Sequence, residues 1–262
     1  MQPFRGPGAG GIIATEATAK SPPDGYSFLI VTVGHAVNPS LYPKLPYDTL
    51  NDLAPVAMVA ALPNVLVVHP SVQANTVAEL LALAKKTPGG LKYASSGNAT
   101  TSHMAAALLA SLAGIEMLHV PYKGAAPAVQ DLLAGRVDLM LDPTVSMGSF
   151  VKQGRVKALA VTTAKRTPLL PGLPTLAEAG VPGYEFQAWF LLVAPAKTPA
   201  AAIARVNGDL AKISADPAYR EKLAGLGAEP AAAASPAEVG AFLAAEIKRW
   251  AKVVKDAGIK IE

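Results

Sequence analysis

A run of small polar residues lies between an apolar segment and an alanine-rich helical pattern. The apolar segment is Leu91–Ala94, the helix begins at about Ser102, and the polar residues between them are Ser95, Ser96, Gly97, Asn98, Thr100 and Thr101. Hydroxyls and unpaired N–H groups at the positive end of a helix dipole bind anions without Lys or Arg. The same residue types are typical of helix caps and turns, and the pattern alone favours a cap. Their number exceeds what one cap needs, which favours the anion site.

A second candidate segment comes at the end of the apolar run Ser27–Val33. Thr32, Gly34 and His35 fall where this predicted strand ends, and such positions line the ligand cleft of open α/β sheets. Gly34 followed by Asn38–Pro39 is equally typical of a simple turn. The segment therefore predicts either a cleft-lining loop or a turn.

Two further strand ends carry polar groups. Asp142 closes an apolar run before a proline, where its carboxylate accepts a hydrogen bond from a ligand or caps the next helix. Tyr122, Lys123 and Gly124 follow the predicted strand Met117–Val120, and they offer an aromatic face and an N–H donor. The alternative for these three residues is a surface loop.

The sequence lacks the residue patterns of enzymatic, metal and phosphate-loop chemistry. It has no cysteine, and its four histidines, at positions 35, 69, 103 and 119, do not follow metal-ligand spacing. Gly6–Gly11 is glycine-rich, but no strand precedes it and no Lys-Ser or Lys-Thr pair follows it. Ser96 lies in Ser-Ser-Gly-Asn instead of Gly-x-Ser-x-Gly. We predict no catalytic residue, no metal, no cofactor and no enzymatic activity.

Composition and charge favour a folded protein that does not bind nucleic acid. Hydrophobic residues make up 51% of the chain, and 23 Lys and Arg against 19 Asp and Glu give a net charge of +4. These basic residues are scattered, and aromatic residues do not alternate with them, unlike in nucleic-acid-binding proteins. The longest apolar segment, residues 54–68, is interrupted by Pro63 and Asn64 and falls short of the ~18 residues that span a bilayer. The sequence as given shows no signal peptide.

Apolar runs alternate with helical patterns along the chain, which predicts an α/β fold with largely parallel sheets. Helix starts are marked by cap residues at Thr76, Thr198-Pro199, Asp216-Pro217 and Ser235-Pro236, and two more helices run from about Ser102 and Ala126. We expect strands at Ser27–Val33, Val56–Val59, Val65–His69, Leu91–Ala94, Met117–Val120, Val137–Leu141, Lys157–Val161 and Phe190–Val193.

The chain is expected to cross between two lobes at two places. The first is the polar loop near residue 96, and the second is the extended apolar segment Glu185–Ala196. This arrangement predicts a discontinuous first lobe, residues 1–96 plus 188–262, and a second lobe, residues 97–187. A ligand cleft lined by strand-end loops would lie between such lobes.

Several short motifs in a fixed order resemble one family, the extracytoplasmic receptors of tripartite tricarboxylate transporters, also called Bug receptors. The resemblance runs from about residue 7 to the end of the chain. The motifs that carry it are Pro7–Gly11, Pro23–Tyr26, Asn38–Tyr42, Leu45–Asp48, Ser96–Asn98, Val120–Gly124, Asp138–Asp142 and Trp250–Val254. It implies a two-lobed periplasmic-binding-protein fold, similar to type II, that binds a small mono-, di- or tricarboxylate or acidic amino acid without chemistry.

The resemblance also implies roles for the candidate residues. In the family, a loop matching Ser95 to Thr101 holds one carboxylate of the ligand through N–H groups and hydroxyls. Loops matching Tyr122–Gly124 and Asp142 meet the far end of the ligand, and Thr32 to His35 matches a further cleft loop. The resemblance further implies a periplasmic monomer that works with membrane permease subunits.

The front of the sequence departs from the family pattern. Family members have a signal peptide, a first strand and a Pro-x-Gly-Gly loop before the segment that matches Pro7–Gly11, whereas six residues precede Pro7 here. We therefore expect an N-terminally shortened first lobe or a start site placed too late. Two alternatives stay open: an α/β enzyme for a carboxylated or phosphorylated metabolite, and a truncated product that binds nothing.

Overall fold

Helices and strands alternate through the computed structural model, which describes residues 11–256, 258 and 259. The helices are α1 (Ile12–Ala19), α2 (Val33–Leu41), α3 (Val77–Lys86), α4 (Thr101–Ala113), α5 (Ala125–Leu133), α6 (Thr144–Lys152), α7 (Ala200–Ala215), α8 (Pro217–Gly225) and α9 (Pro236–Asp256). The strands are β1 (Leu29–Val31), β2 (Leu53–Val68), β3 (Leu91–Ser95), β4 (Met117–Pro121), β5 (Leu139–Pro143), β6 (Lys157–Val161), β7 (Gln187–Pro195) and β8 (Glu229–Pro230). None of the described helices is both long and apolar enough to cross a membrane.

The chain forms two compact units. Unit 1 takes the described residues within 1–61, 189–223 and 229–262, and unit 2 takes residues 62–188 and 224–228. The predicted lobes differ from these units in residues 62–96, 188 and 224–228. Residues 62–96 belong to unit 2 because β3 pairs with β4 and β5 and the second half of β2 pairs with β5 and β6. Closure of two lobes on a ligand stays a prediction.

Unit 2 is built on a mixed sheet in the order β6-β2-β5-β3-β4. β3 runs parallel to β4 and β5, whereas β2 runs antiparallel to β5 and β6. Helix α4 packs on β5 and β3, and α5 packs on β3. A buried apolar cluster joins the strands to α5 and α6 through side chains such as Val65, Met140, Leu132 and Met147. The loops that follow β3, β4 and β5 therefore start from fixed strand ends.

Unit 1 contains a smaller sheet in which β7 lies between β1 and the first half of β2. β1 and β8 pair antiparallel with β7 and β2, respectively. Helix α9 packs against α2, and α7 covers a small cluster around Val56 and Ala194. Trp250 of α9 is fully buried.

Two local predictions are wrong. The predicted strands Val56–Val59 and Val65–His69 are parts of one strand, β2, although Pro63 lacks an N–H. Pairing continues directly after this proline: Asn64 is the cross-strand partner of Pro143 in β5, and the Thr162 hydroxyl accepts from the Asn64 N–H and donates to the Asn64 carbonyl, both at 3.1 Å. The sheets are also mixed and not largely parallel, since β1–β7, β2–β5, β2–β6 and β2–β8 are antiparallel pairs.

The segment after β1 is a helix and not a loop or turn. α2 begins at Val33, after Thr32 in extended conformation, and it includes Gly34, His35 and Pro39. Residues 33–38 are all buried, so burial of this face outweighs the cost of a proline inside the helix. Of the glycine-rich segment Gly6–Gly11, residues 6–10 lie outside the described part of the chain, and Gly11 is the N-cap of α1.

Candidate functional site

The loop between β3 and α4 is ordered by its own side chains. The Ser95 hydroxyl is fully buried, donates to the Gly97 carbonyl at 3.1 Å and lies 2.6 Å from Nε2 of His119. The Thr100 hydroxyl donates to the same Gly97 carbonyl at 2.7 Å. Polar groups of this loop therefore do more than cap α4, for which no side-chain cap is made by the N-cap Thr100.

Ser102, in the first turn of α4, is the centre of this hydrogen-bond network. Its hydroxyl accepts from the Ser96 N–H at 2.9 Å and lies 3.1 Å from the Ser96 hydroxyl and 3.3 Å from the Thr100 hydroxyl. It also hydrogen-bonds to Asp142 at the end of β5. Ser102 is fully buried, so one small side chain ties the loop to the carboxylate.

Two backbone conformations in the loop are unusual. Gly97 has φ +132°, and a Cβ at this position would lie 3.3 Å from the Tyr122 carbonyl oxygen. Ala99 has φ +58°, and it is the non-glycine residue with positive φ among the described residues. The Ala99 N–H donates to Nδ1 of His103 at 3.1 Å, which helps to hold this costly conformation. Strained backbone of this kind is frequent at ligand sites.

The loop that follows β4 is bound to the loop that follows β3. The N–H of Tyr122 donates to the Ser95 carbonyl at 3.0 Å, and the N–H of Gly124 donates to the Ser96 carbonyl at 3.1 Å. The Tyr122 hydroxyl donates to Asp131 of α5 at 2.7 Å. The expected N–H donor of this segment is therefore used inside the protein, while Lys123 between them is exposed.

Asp142 is a buried carboxyl group held by hydroxyls. Ser146 of α6 and Ser102 of α4 both donate to it. Burial raises the pKa of Asp142 to about 6, although the hydrogen bonds from Ser146 and Ser102 lower it in part. No ion pair within the described residues includes Asp142, so its charge is stabilised by dipoles alone.

A stack of three aromatic rings supports the polar loop. The ring centroids of His103 and His119 lie 4.0 Å apart, and those of Tyr93 and His119 lie 4.8 Å apart. Burial lowers the pKa of His103 to about 3, helped by the neighbouring His119, and lowers the pKa of His119 to about 4. Both imidazoles are neutral at physiological pH, so one nitrogen of each ring can accept a hydrogen bond. In His103 the accepting nitrogen is Nδ1, which accepts from the Ala99 N–H.

Two residues of the loop keep their polar groups uncommitted. Within residues 11–256, no hydrogen bond is found for the N–H or side chain of Asn98, nor for those of Thr101. Asn98 is exposed and Thr101 is half-buried at the first position of α4. These groups lie at the positive end of the α4 dipole, where an anion is stabilised.

Thr32, Gly34 and His35 belong to unit 1 and lie at the start of α2. Thr32 is exposed, whereas Gly34 and His35 are buried. Burial lowers the pKa of His35 to about 4, and its two ring nitrogens have no hydrogen-bond partner among the described residues. Thr32 and His35 line a cavity of about 130 Å³ together with Thr15.

The sequence did not single out several residues that organise the site. The sequence predicts Ser102 only as the start of a helix, and it predicts no role in the site for His103, His119 or Ser146. For Ser102, its position at the end of the run of small polar residues is a sequence signal that could have identified it as a site residue. The stacking of Tyr93 with His119 depends on their register in the parallel β3–β4 pair, which a single sequence does not reveal. No group of metal-ligating side chains occurs among the described residues.

The chain matches a family model described as "Tripartite tricarboxylate transporter family receptor" over residues 5–259. A UPF0065 protein in the tcbD-tcbE intergenic region of Pseudomonas sp. (strain P51) is 42% identical over 248 residues, which are 94% of this chain and 74% of that protein. Protein BugT of Bordetella pertussis (strain Tohama I) is 36% identical over 257 residues, 97% of this chain and 78% of that protein.

Solved structures show the same fold. R. palustris Rpa4515 with adipate has a TM-score of 0.87 at 42% identity, covering 95% of this chain and 84% of that chain. The periplasmic binding protein BugD has a TM-score of 0.85 at 36% identity, covering 97% and 86%. MatC (Rpa3494) from Rhodopseudomonas palustris with bound malate has a TM-score of 0.82 at 31% identity, covering 94% and 85%. The predicted α/β periplasmic-binding-protein fold is confirmed.

Proposed function

This chain belongs to the family of tripartite tricarboxylate transporter receptors, and we propose that it is an extracytoplasmic solute receptor for a small carboxylate. The proteins it matches are solute-binding receptors and not enzymes, so the enzyme alternative is set aside. The observation that carries the proposal is the loop after β3, in which Asn98 and Thr101 keep uncommitted donors at the N-terminus of α4.

We assign one carboxylate of the ligand to this loop. Asn98 and Thr101 would donate to it through both their backbone N–H groups and their side chains, and Gly97 would let the backbone approach closely. Ser95 and Thr100 are committed to internal hydrogen bonds, so their proposed role is to hold the loop. Ser96 takes part through its hydroxyl.

The other candidate residues are proposed for the remainder of the ligand. Exposed Lys123 supplies a charge beside the loop, and Tyr122 and Gly124 fix the loop through their N–H groups. Asp142 supplies a buried carboxyl group whose protonation state affects which ligands fit. Thr32, Gly34 and His35, at the start of α2, are also proposed as ligand-binding residues.

A dicarboxylate is the ligand class that the comparisons favour. The structures of Rpa4515 and MatC hold adipate and malate, respectively, and both are dicarboxylates with a flexible carbon chain. Monocarboxylates, tricarboxylates and acidic amino acids belong to the same test. We further propose that the receptor acts as a periplasmic monomer and delivers its ligand to membrane permease subunits.

Isothermal titration calorimetry against a panel of organic acids tests the proposal. We expect the wild type to bind at least one dicarboxylate, and Asn98→Ala combined with Thr101→Val to weaken that binding at least tenfold, because each lost hydrogen bond to a charged group is worth roughly 1.5–3 kcal/mol. Ser149→Ala, an exposed hydroxyl on α6, is the matched control. Wild-type protein that is folded and binds no carboxylate would contradict the proposal.

A further inference from the structure

A continuous line of hydroxyl groups connects the candidate ligand loop to a buried carboxyl group. The Ser96 hydroxyl lies 3.1 Å from the Ser102 hydroxyl, and Ser102 in turn hydrogen-bonds to Asp142. Ser102 is 0% exposed and Asp142 is 3% exposed, whereas Ser96 at the outer end of the line is half-buried. The order of the donors along this line depends on where its protons are.

When Asp142 is ionised, each hydroxyl along the line donates its hydrogen bond toward Asp142. The carboxylate can only accept, so the single proton of the Ser102 hydroxyl is donated to it. Ser102 then accepts from the Ser96 N–H and from the Ser96 hydroxyl. The N–H and the hydroxyl of Ser96 therefore both donate to Ser102. The lone pairs of the Ser96 hydroxyl oxygen then face the loop and repel a ligand carboxylate.

When Asp142 is protonated, the direction of hydrogen-bond donation along the line can reverse. The carboxylic acid donates to Ser102, the Ser102 hydroxyl donates to Ser96, and the Ser96 hydroxyl becomes free to donate to a ligand. We propose that Ser102 is a positioning residue that couples carboxylate binding at the loop to the uptake of one proton by Asp142. This inference rests on the proposed function, and it adds that the receptor binds its anion together with a proton.

The surroundings of Asp142 leave it as the group that titrates. From α6 it meets Ser146, and the first turn of that helix contains no acidic residue. From β2 its cross-strand partner is Val65. From α4 it meets Ser102, next to which lies His103, and β3 contributes Tyr93, which stacks on His119 and is the cross-strand partner of Leu139.

None of these neighbours competes for the proton near neutral pH. Burial holds the pKa of His103 at about 3 and that of His119 at about 4, and it raises the pKa of Tyr93 above its usual range. The pKa of Asp142, by contrast, is raised to about 6. Uptake of a proton near pH 7.5 therefore requires that ligand binding raise the pKa of Asp142 from about 6 to well above 7.5.

Proton uptake is measured by calorimetry with adipate and with malate in buffers of different ionisation enthalpy, at pH 6.5–8.5, where both ligands are dianions. We expect uptake of about one proton per ligand at pH 7.5, and an affinity that falls about tenfold per pH unit above the pKa of the free protein. If the wild type binds neither ligand nor any other carboxylate, the proposed function fails. If it binds with no uptake and no pH slope, only the coupling is overturned.

Three variants test whether the hydrogen bonds from Ser96 through Ser102 to Asp142 couple ligand binding to proton uptake. In Asp142→Asn the amide N–H donates to Ser102 permanently, so affinity at pH 8 should equal or exceed that of the wild type, with no uptake and no pH slope. Ser102→Ala should abolish the slope because it breaks the line. Ser146→Ala is the matched control: it removes the other hydroxyl on Asp142, so uptake persists and the slope moves to higher pH.

The opposite result for Asp142→Asn would overturn the inference. A carboxylate that accepts a hydrogen bond directly from the ligand predicts weaker binding by this variant at every pH. Circular dichroism and urea unfolding of each variant show whether it is folded, and a folded Ser102→Ala protein that keeps the wild-type slope would equally contradict this coupling.

Discussion

Gly97 has no side chain because its backbone conformation and its neighbour exclude one. With φ +132° and a Cβ that would lie 3.3 Å from the Tyr122 carbonyl oxygen, we expect Gly97→Ala to lower the free energy of unfolding by about 1–3 kcal/mol. We also expect weaker carboxylate binding, since the displaced loop carries Asn98. Urea unfolding and calorimetry measure the two effects.

Gly148→Ala is the control for this substitution. Gly148 lies in α6, does not have a positive φ, and has space for a Cβ. Alanine there is expected to stabilise the helix by up to about 1 kcal/mol. Equal effects of the two substitutions would contradict the role of the Gly97 conformation.

The buried histidines predict that the protein loses stability in mild acid. Burial lowers the pKa of His103 to about 3, and those of His119 and His35 to about 4, from an ordinary value of 6.5. Below pH 6.5 the unfolded chain therefore binds more protons, and the free energy of unfolding falls as the pH decreases toward 4. Asp142 acts in the opposite sense, because its pKa is raised to about 6 from 3.8 and the folded state binds that proton first. One carboxyl against three imidazoles leaves a net loss.

Urea unfolding between pH 7.5 and 4.5 checks this prediction. In His103→Asn the amide oxygen can still accept from the Ala99 N–H, while one titrating group is gone. The pH slope near pH 5 should then be smaller by about 1.4 kcal/mol per pH unit. His69→Gln, which removes an imidazole elsewhere in the chain, is the control. A slope unchanged in His103→Asn would show that this ring does not control acid stability.

One carboxylate of α9 accepts hydrogen bonds from two indoles, one in β7 and one in α9 itself. Glu246 accepts from Nε1 of Trp189 at 2.9 Å and from Nε1 of Trp250 at 3.0 Å, and all three side chains are buried. Removing the acceptor takes this hydrogen bond away from two buried indoles, each at a cost of about 1–3 kcal/mol. We therefore expect Glu246→Leu to lower the free energy of unfolding by roughly 2–6 kcal/mol.

Glu246→Gln distinguishes lost hydrogen bonding from lost charge. Its amide oxygen still accepts from an indole, so urea unfolding should show a clearly smaller loss than Glu246→Leu. If the two variants lose the same stability, the hydrogen bonds to Trp189 and Trp250 are not the cause.

Elements with local signals could be predicted, and those decided by tertiary contacts could not. The capping box of α9 is present as expected, with the Ser235 N–H donating to Glu238 at 2.7 Å and the Glu238 N–H to Ser235 at 3.3 Å. The cap of α8 also forms, as Asp216 accepts from two N–H groups of its first turn. In contrast, the residue after Pro63 in β2 is paired by Thr162, 98 residues away, through the hydrogen bond to the Asn64 N–H, and no local pattern contains that contact.

At the scale of the whole molecule, the same division holds for the candidate site. The order strand, small polar residues, helix predicts the polar loop, and this loop lies between β3 and α4. Which of its groups are free was not predictable, because that depends on contacts with other elements. The Ser95 hydroxyl is hydrogen-bonded to His119 of β4. The Ser96 N–H donates to Ser102, which also hydrogen-bonds to Asp142.

Ligand binding at this loop predicts a linked change in global stability and local protection. A carboxylate at 100 times its dissociation constant should raise the free energy of unfolding by about 2.7 kcal/mol. Because the N–H groups of Asn98 and Thr101 are proposed donors, their hydrogen exchange should slow on binding more than that of amides in α7, in the other unit. The dimethyl ester of the same acid, which has no charge, should do neither. Stabilisation by the acid with unchanged exchange at both amides would mean that the ligand binds elsewhere, since a bound carboxylate cannot leave the donors that hold it as open to solvent as before.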